Sequence, residues 1–415
     1  MSRICLMTPG QPSINPRLVK EADALVEAGH QVHVLCSHTV SWADEADKGL
    51  LSTRRWTCSY VGGEPRSLLH FWTRLRHGAV RRCLAAWKAG DGLGDRALCR
   101  VTPELLAEAS RCEADLYIAH YTGALAAAVP AAKKNRCLVA FDAEDFESGY
   151  YHDDSGPGAI DVLIENMERE YLPACCYVSA ASPGIAAAYS TKYNIPMPTS
   201  ILNVFSLSDR PQQFRATDSK GPMRLYWFSQ TVGLGRGLED VIRAMANLRD
   251  CEIELHLRGL ARPDHWRLLR DLASSNGLHP RAIVLHAPAA PSEMIRAAAE
   301  FDVGLAVEQP VSLNRDLCLT NKIFSYLLAG NAIAATSTTG QRPIIEAIGR
   351  AGFLYEPGDV DALANGLRSW SSDRQQLRQA RWEAWSWGTR QYNWDAEKKK
   401  LLDVVSDVLN KASGR

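Results

Sequence analysis

The stretch that decides the fold runs from Glu308 to Gly330 and reads EQPVSLNRDLCLTNKIFSYLLAG. It follows an apolar run, Asp302–Val307 (DVGLAV), that is typical of a buried strand, and it precedes a second one, Ala332–Thr336 (AIAAT). Between them a polar loop leads into a helix whose first turn carries Asn321 and Lys322. A helix N-terminus after a parallel strand favours phosphate, because its free N–H groups and its dipole attract negative charge. The stretch therefore predicts an open α/β sheet with an anion site.

Strand-like and helix-like segments alternate on the N-terminal side of this stretch too, which predicts a parallel α/β fold for the whole chain. One series of such units begins at the N-terminus and a second begins near Met223. A polar segment, Ser206–Pro222, separates them and has the composition of a linker. Besides 302–307 and 332–336, the predicted strands are Arg3–Thr8, Gln31–Cys36, Asp115–Ala119, Cys137–Phe141, Ala174–Val178, Arg224–Ser229, Glu252–Leu257 and Ala282–His286.

The properties of the whole chain predict a two-domain cytoplasmic protein. Its 415 residues are enough for two hydrophobic cores. The formal net charge is zero, so no general affinity for nucleic acid is expected. No apolar run approaches the roughly 18 residues that span a bilayer, and the N-terminal residues lack the layout of a secretory signal. Eleven cysteines without a C-x-x-C pair predict reduced thiols rather than disulfides or a metal site.

The helix in the deciding stretch carries a recognisable pattern, N-K-x-F-x-Y-x-x-x-G, at Asn321, Lys322, Phe324, Tyr326 and Gly330. In this pattern the chain resembles the nucleotide-sugar half of the GT-B-fold retaining glycosyltransferases of family 4. The resemblance implies two Rossmann-like domains whose parallel sheets face each other across a cleft. It divides the chain into an N-terminal domain on the acceptor side (1–205), a linker (206–222), a C-terminal nucleotide-sugar-binding domain (223–385) and a C-terminal helix that crosses back to the first domain (386–415).

A glycine-rich loop, Gln230–Gly237 (QTVGLGRG), follows the first strand of the second series. Its glycines let the backbone approach a ligand, and Arg236 at the start of the next helix suits a diphosphate. The resemblance implies that Arg236 binds the donor's diphosphate together with Asn321 and Lys322. Gln230 stands where the family often has a second basic residue, and it is included among the donor-binding candidates. A tight turn without a ligand is the alternative interpretation of this loop.

Carboxylates are the second set of candidates in this half. Many family members carry an E-x7-E motif, whose two positions fall here on Leu317 and Ser325. Glu308 and Asp316 have the same separation but lie earlier in the chain. We predict that Glu308 contacts the donor sugar as a catalytic residue and that Asp316 contacts the ribose. The alternative is that both are solvated loop carboxylates.

In the first series the candidate side chains follow strands. His120 ends the strand DLYIA, and the resemblance implies that it contacts a hydroxyl of the donor sugar as a catalytic residue. Asp142 and Glu144 follow the strand CLVAF and are predicted to bind acceptor hydroxyls, with a metal site or an idle solvated loop as alternatives. Gly10, after the first strand, is predicted to admit the donor diphosphate. Arg17 is predicted to reach the acceptor side of the cleft, or else to lie on a polar surface.

A basic segment precedes these strands. Between Arg54 and Lys88 there are eight Lys or Arg residues and one acid, Glu64. Residues 67–88 have helical periodicity, with basic residues on one side and an apolar stripe on another. A basic amphipathic helix with tryptophans is suited to an anionic membrane surface, whereas an ordinary surface helix would turn its stripe to the core. The stripe consists of Leu68, Trp72, Leu75, Ala79, Cys83 and Trp87.

The resemblance implies a glycosyltransferase that moves a sugar from a nucleoside-diphosphate sugar to a hydroxyl of a glycan or lipid-linked glycan, in cell-surface polysaccharide synthesis. The reaction is expected to retain configuration and to need no metal and no cofactor, and the enzyme to be cytoplasmic, either free or peripheral at the membrane. Two alternatives stay open: a catalytically idle nucleotide-sugar-binding subunit, suggested by Leu317 and Ser325, and a sugar-nucleotide epimerase of the same fold. A Rossmann oxidoreductase is disfavoured, because no G-x-G-x-x-G follows the first strand.

Overall fold

The computed structural model describes residues 1–86, 93–150, 158–215 and 221–414. The chain divides into two compact units. The first consists of Met1–Ile201, Ser312–Asn314 and Lys398–Arg415, and the second of Leu202–Val311 and Arg315–Glu397. Part of the predicted linker, residues 216–220, lies outside the described residues, as do Trp87 and Lys88 of the predicted basic helix.

The first unit is built on a parallel sheet of seven strands in the order β3-β2-β1-β4-β5-β6-β7. The central strands β1 and β4 are almost wholly buried, as expected of a parallel sheet with helices on both faces. The strands are β1 (Arg3–Met7), β2 (Gln31–Ser37), β3 (Thr57–Val61), β4 (Leu116–His120), β5 (Leu138–Ala143), β6 (Val178–Ala180) and β7 (Thr199–Ser200).

The second unit repeats this plan with six parallel strands in the order β10-β9-β8-β11-β12-β13. Both sheets change direction beside their first strand, between β1 and β4 and between β8 and β11. In open α/β sheets ligands bind outside the carboxyl ends of the strands at such a switch point. The strands are β8 (Met223–Val232), β9 (Ile253–Ala261), β10 (Ile283–His286), β11 (Val303–Ala306), β12 (Ala332–Thr336) and β13 (Gly352–Tyr355).

Seventeen α-helices are assigned within the described ranges, most of them connecting one parallel strand to the next. Among the described residues no helix combines the length and the apolar character needed to cross a membrane. They are α1 (Pro16–Glu27), α2 (Ser41–Leu51), α3 (Leu68–Ala86), α4 (Gly94–Leu98), α5 (Thr102–Ala109), α6 (Thr122–Asn135), α7 (Ala159–Tyr171), α8 (Pro183–Tyr193), α9 (Leu238–Ala246), α10 (Pro263–Ser275), α11 (Met294–Ala298), α12 (Leu313–Leu317), α13 (Asn321–Ala329), α14 (Arg342–Ile348), α15 (Val360–Ser372), α16 (Arg374–Arg390) and α17 (Trp394–Ala412).

Local sequence explains where the functional helices start and stop. Helix α1 begins with Asn15, whose side chain accepts a hydrogen bond from the Leu18 N–H, and with Pro16 in the first turn. Helix α13 ends at Gly330, whose left-handed φ of 76° suits a residue without a side chain. These signals fix the start of α1 and the end of α13.

The predicted α/β class is confirmed, and most predicted strands lie within a few residues of the observed ones. The strand predicted at Ala174–Val178 is wrong in position. Residues Leu172–Ala174 form a 3₁₀ turn around Pro173, and β6 starts only at Val178. Proline favours such a turn because its φ is fixed and it lacks an N–H for the sheet.

Candidate functional site

The switch point of the second sheet brings together the loops that follow β8 and β11. Gly237 begins helix α9 with a left-handed φ of 77°. A Cβ atom at this position would lie 2.2 Å from the backbone oxygen of Val307, the residue that follows β11. Only glycine fits so close an approach. The predicted donor-binding loop and the stretch that starts at Glu308 are therefore in direct contact.

Arg236 is anchored inside this loop rather than extended into solvent. Its guanidinium donates hydrogen bonds to the Ser229 hydroxyl at 3.1 Å and to the Thr231 hydroxyl at 3.3 Å. Both hydroxyls belong to the carboxyl-terminal half of β8. Arg236 thus lies half-buried at the N-terminus of α9, where a fixed planar cation is suited to a phosphate. Gln230, between its two partners, is exposed.

Lys322 and Glu308 form an ion pair at the N-terminus of α13. The Lys322 ammonium donates to Glu308 Oε1 at 2.5 Å, and the Thr320 hydroxyl donates to the same oxygen at 3.3 Å. The ammonium also lies 5.6 Å from the centroid of the Trp227 ring, within cation–π range. Burial disfavours the Glu308 carboxylate, but the charge and hydrogen bond of Lys322, with smaller contributions from Arg315 and Thr320, together hold the pKa of Glu308 below its usual value. The structure therefore brings Glu308 and Lys322 together, as an ionised pair.

The two motif positions that lack glutamate are filled by buried side chains. Leu317 lies in the core, and Ser325 is fully buried, with its hydroxyl donating to the Asn321 carbonyl at 3.1 Å. Asn321 itself is exposed at the first position of α13. Asp316 binds the loop after β12, because Oδ1 accepts from the Thr339 N–H at 3.0 Å. The described contacts of Asp316 thus hold a neighbouring loop in place.

At the end of β4 in the first unit, four charged side chains form one buried network. His120 Nε2 lies 3.1 Å from Glu21 Oε2, and His120 Nδ1 lies 3.3 Å from Asp142 Oδ2. Arg17 donates to both oxygens of Asp142 at 2.6 Å and to the Ile201 carbonyl at 2.6 Å. All four side chains are at most 1% exposed. The network ties helix α1 to the ends of β4 and β5.

The charges of this network balance when His120 is protonated. Burial disfavours the imidazolium, but Glu21 and Asp142 beside it outweigh burial and raise the pKa of His120 to about 10. Burial also disfavours the Asp142 carboxylate, yet Arg17 and His120 hold the pKa of Asp142 well below its usual value. Two cations then face two anions, which is the condition under which buried charges are tolerated.

Within the described ranges, one group of side chains has ligand atoms close enough to hold a metal ion, namely Glu21, His120 and Asp142. Protonated imidazole has no lone pair to offer a metal. Both oxygens of Asp142 already accept hydrogen bonds from Arg17. The observed arrangement therefore fits an internal charge network better than a metal centre.

The remaining predicted residues of the first unit lie nearby. Glu144 is half-buried after β5 and accepts a hydrogen bond from the Tyr121 hydroxyl at 3.2 Å. Burial raises the pKa of Glu144. Gly10, just after β1, donates its N–H to the Thr8 hydroxyl at 3.3 Å. Sequence reasoning missed Glu21, although its position four residues after Arg17 places both on one face of α1.

Comparison with known proteins agrees with this architecture. Neither the known family models nor the curated proteins include a match to this chain. Solved structures do match over nearly the whole chain, and their fold is GT-B. HepE of Anabaena, solved with UDP, is 16% identical with a TM-score of 0.69, and the alignment covers 98% of this chain and 100% of HepE.

Two further solved structures show the same likeness. Sucrose-phosphate synthase of Thermosynechococcus elongatus is 14% identical with a TM-score of 0.71, covering 99% of this chain and 100% of the synthase. A glycosyltransferase of Rickettsia africae is 13% identical with a TM-score of 0.68, covering 98% of each chain. The predicted GT-B fold is confirmed by these matches.

The protonated state of His120 makes a prediction about stability and pH. Above about pH 7 the folded protein holds a proton on His120 that the unfolded chain, with a histidine pKa of about 6.5, has lost. This contribution to stability is complete below that unfolded pKa and disappears as the pH rises through about 10. In that window His120 should lower the unfolding free energy by about 1.4 kcal/mol per pH unit.

We expect His120→Gln to unfold more easily at neutral pH and to lack this component of the alkaline slope. Urea unfolding at several pH values between about 7 and 9.5 measures both effects. His279→Gln, at an exposed position, is the control and should keep the wild-type slope. The same slope in His120→Gln and wild type would show that His120 is not the protonated member of the network.

Proposed function

We propose that this protein is a glycosyltransferase that transfers a sugar from a nucleoside-diphosphate sugar to a hydroxyl acceptor. The observation that carries the proposal is the pair of cations at the switch point of the second sheet. Arg236 stands at the N-terminus of α9 and Lys322 in the first turn of α13. The contact between Gly237 and Val307 holds their two loops together. Two helix N-termini, each with a cation, make a site for a diphosphate.

The chemistry follows from what these groups do to a leaving diphosphate. Negative charge builds on the leaving oxygen as the bond to the sugar breaks, and fixed positive groups stabilise that charge. Lys322 has three N–H donors, of which Glu308 accepts one. We propose that Arg236 and Lys322 carry out this stabilisation without a metal and without a cofactor. In a retaining reaction the diphosphate oxygen would then take the proton of the attacking hydroxyl.

Glu308, Asn321, Asp316, Gln230 and Gly10 complete the proposed donor contacts. Glu308 orients the Lys322 ammonium through their ion pair, which places its carboxylate beside the proposed diphosphate site. Asn321 is exposed at the start of α13, where its amide is accessible to a ligand. HepE, which shares the fold, was solved with UDP, and this supports a uridine nucleotide as the first donor to test.

The acceptor is proposed to be a glycan or lipid-linked glycan used in cell-surface polysaccharide synthesis. In the first unit, Glu144 is the proposed contact for an acceptor hydroxyl, because it is half-buried rather than enclosed. Arg17, Asp142 and His120 have their charged atoms directed at one another. We propose that these three fix the ends of β4 and β5 and so support the acceptor side.

The alternative of an idle nucleotide-sugar-binding subunit keeps one observation in its favour. Leu317 and Ser325 are buried at the positions where many family members have glutamates. The two proposals differ in one result, since an idle subunit would bind the nucleotide sugar and transfer nothing.

Peripheral attachment to a membrane is the last part of the proposal, and helix α3 is its basis. The apolar stripe does not face the core, because its members Leu68, Trp72 and Leu75 are between 55% and 90% exposed, and the neighbouring Phe71 is exposed with them. Their spacing of three and four residues puts them on one side of the helix. The opposite side faces the protein, where Thr73 is fully buried.

Basic side chains accompany this exposed stripe. Arg66, Arg74, Arg81 and Arg82 are all exposed along α3 or just before it. An apolar stripe that inserts at the level of the lipid headgroups, flanked by arginines, binds anionic membranes through both burial and charge. The exposed face of α3 is therefore better suited to a membrane surface than to water. A lipid-linked acceptor would be located at such a membrane.

The donor site predicts the effect of removing one cation. Lys322→Ala should reduce sugar transfer by about two to three orders of magnitude, the scale of losing one fixed group that stabilises developing charge. Transfer from UDP-glucose and other nucleotide sugars to a mixture of glycan acceptors is the assay. Glu308→Gln/Lys322→Ala leaves no unpaired buried carboxylate and should also be inactive. Recovery of transfer in this double variant would show that the unpaired carboxylate, and not the missing cation, causes the loss in Lys322→Ala.

The exposed lysine variant Lys134→Ala is the matched control and should keep full activity. Unchanged turnover in Lys322→Ala would remove Lys322 from the site.

The membrane helix predicts the effect of reversing its charge. Arg74→Glu/Arg81→Glu should weaken binding to vesicles of phosphatidylglycerol and phosphatidylethanolamine by about 100-fold or more, since each basic residue near such a surface contributes about 1 kcal/mol. Vesicle sedimentation measures this, and Phe71→Ser/Trp72→Ser should weaken binding independently.

Arg262→Glu/Arg270→Glu, two exposed arginines at helix α10, makes the same change in net charge and should bind vesicles as the wild type does. Nucleotide binding should be unaffected in all three variants. Vesicle binding that survives both changes on α3 would refute the membrane helix.

A further inference from the structure

The first unit contains a cavity. Its walls include none of the candidate site residues discussed above. Its volume is about 780 Å³, within the range of about 300–1,000 Å³ that is usual for ligand pockets. The cavity lies beside the edge strand β3, between α2 and α5, and Leu69 of α3 is on its wall. It is thus separate from the charge network at the end of β4.

One wall of the cavity is aromatic. The rings of His38 and Tyr60 stack with centroids 4.3 Å apart and planes inclined by 18°, and both residues line the cavity. Tyr60 is only partly buried on β3. An aromatic ring in a cavity wall offers a flat, apolar surface with a negative face, on which the C–H face of a pyranose packs well.

The carboxylates of the cavity are held in place by the protein. Asp47 is 2% exposed and accepts hydrogen bonds from the Ser13 N–H at 2.8 Å and from the Tyr60 hydroxyl at 2.7 Å. Asp44 lies 2.7 Å from His38 Nδ1 and accepts from the Gln11 side-chain amide at 2.9 Å. Because these contacts fix both side chains, a ligand does not have to order them when it binds.

The charge of the lining indicates which ligands fit. Five carboxylates line the cavity, against two permanent cations, Lys48 and Arg111. One of the five, Glu104, is paired with Arg76 behind the wall at 2.7 Å, so four carboxylates remain against the two cations. This excess of negative charge disfavours a phosphate or a diphosphate, the ligand proposed for the second unit. It suits a neutral ligand rich in hydroxyl groups, because carboxylates accept hydrogen bonds from hydroxyls. The carboxylates are Asp44, Asp47, Glu64, Glu104 and Glu108.

We propose that this cavity binds a saccharide, with one neutral sugar unit packed against the stacked His38–Tyr60 pair and its hydroxyls directed at the carboxylates. The proposal rests on the proposed function in one respect, because it makes that sugar a unit of the acceptor glycan. Leu69 in the cavity wall belongs to the same helix as the exposed stripe of α3. A glycan attached to a membrane lipid would therefore meet the cavity close to the surface that carries it.

The test measures saccharide binding without any transfer reaction. Saturation-transfer difference NMR is recorded on the full chain with the methyl glycosides of glucose, galactose, mannose and N-acetylglucosamine. At least one should bind the wild type. Tyr60→Leu, which removes the ring and the hydroxyl, should weaken that binding about tenfold, the scale of losing one aromatic contact.

Glu108→Lys changes the rim of the cavity at a partly exposed position and covers the case in which Tyr60→Leu fails to fold. It should also weaken binding, whereas Glu293→Lys, an exposed residue of the second unit, should not. The absence of binding by any of the four glycosides, or binding that both cavity variants leave unchanged, would overturn the proposal.

Stabilisation by UDP is measured on the same samples and keeps the two proposals distinguishable. Cavity variants should retain it, because the proposed nucleotide site lies in the other unit. If UDP does not stabilise the protein but a glycoside binds and Tyr60→Leu weakens that binding about tenfold, the transferase proposal fails and the saccharide site stands.

Discussion

The proposed donor site depends on one close contact, the approach of Gly237 to the backbone oxygen of Val307. At 2.2 Å from that oxygen there is no room for a Cβ atom, so the loops after β8 and β11 can meet only with glycine there. This contact places the start of α9, with Arg236, beside the stretch that leads to Lys322. The proposed phosphate site rests on this pairing of two cations at two helix N-termini, because a single cation at a helix N-terminus is common on protein surfaces.

A second constraint acts in the first unit, where two positive and two negative side chains are buried together. Arg17, Glu21, His120 and Asp142 are almost inaccessible to water, and such groups persist only when they are paired. The network needs residues from α1, β4 and β5 at once, so it fixes the carboxyl edge of the sheet.

The sequence predicted the strands of the two sheets better than it predicted the burial and the pairing of the candidate site residues. Apolar runs such as DVGLAV and the N-K-x-F-x-Y pattern identify buried strands and a helix start, because those features are local. The strands β3, β7 and β13 were missed, since they lie at sheet edges and are only partly buried, so that no continuous apolar run marks them.

Contacts between residues far apart in the chain could not be predicted from the sequence. Arg17 and Asp142 are 125 residues apart, and nothing in the sequence indicates that they form a bidentate pair. The apolar stripe of α3 is another feature that the sequence left undecided, because its periodicity fitted a core-facing helix as well as an exposed one. Only the fold shows that Thr73 faces inward and Trp72 outward.

The measurement that tests the central claim most directly is a thermal-shift series with UDP, GDP, ADP, CMP and their common sugar conjugates, with and without EDTA. The account predicts that one nucleoside diphosphate stabilises the protein, that EDTA does not change the effect, and that Arg236→Ala and Lys322→Ala each reduce it. Folded protein that none of these ligands stabilises would contradict a nucleotide-sugar site at the switch point of the second sheet.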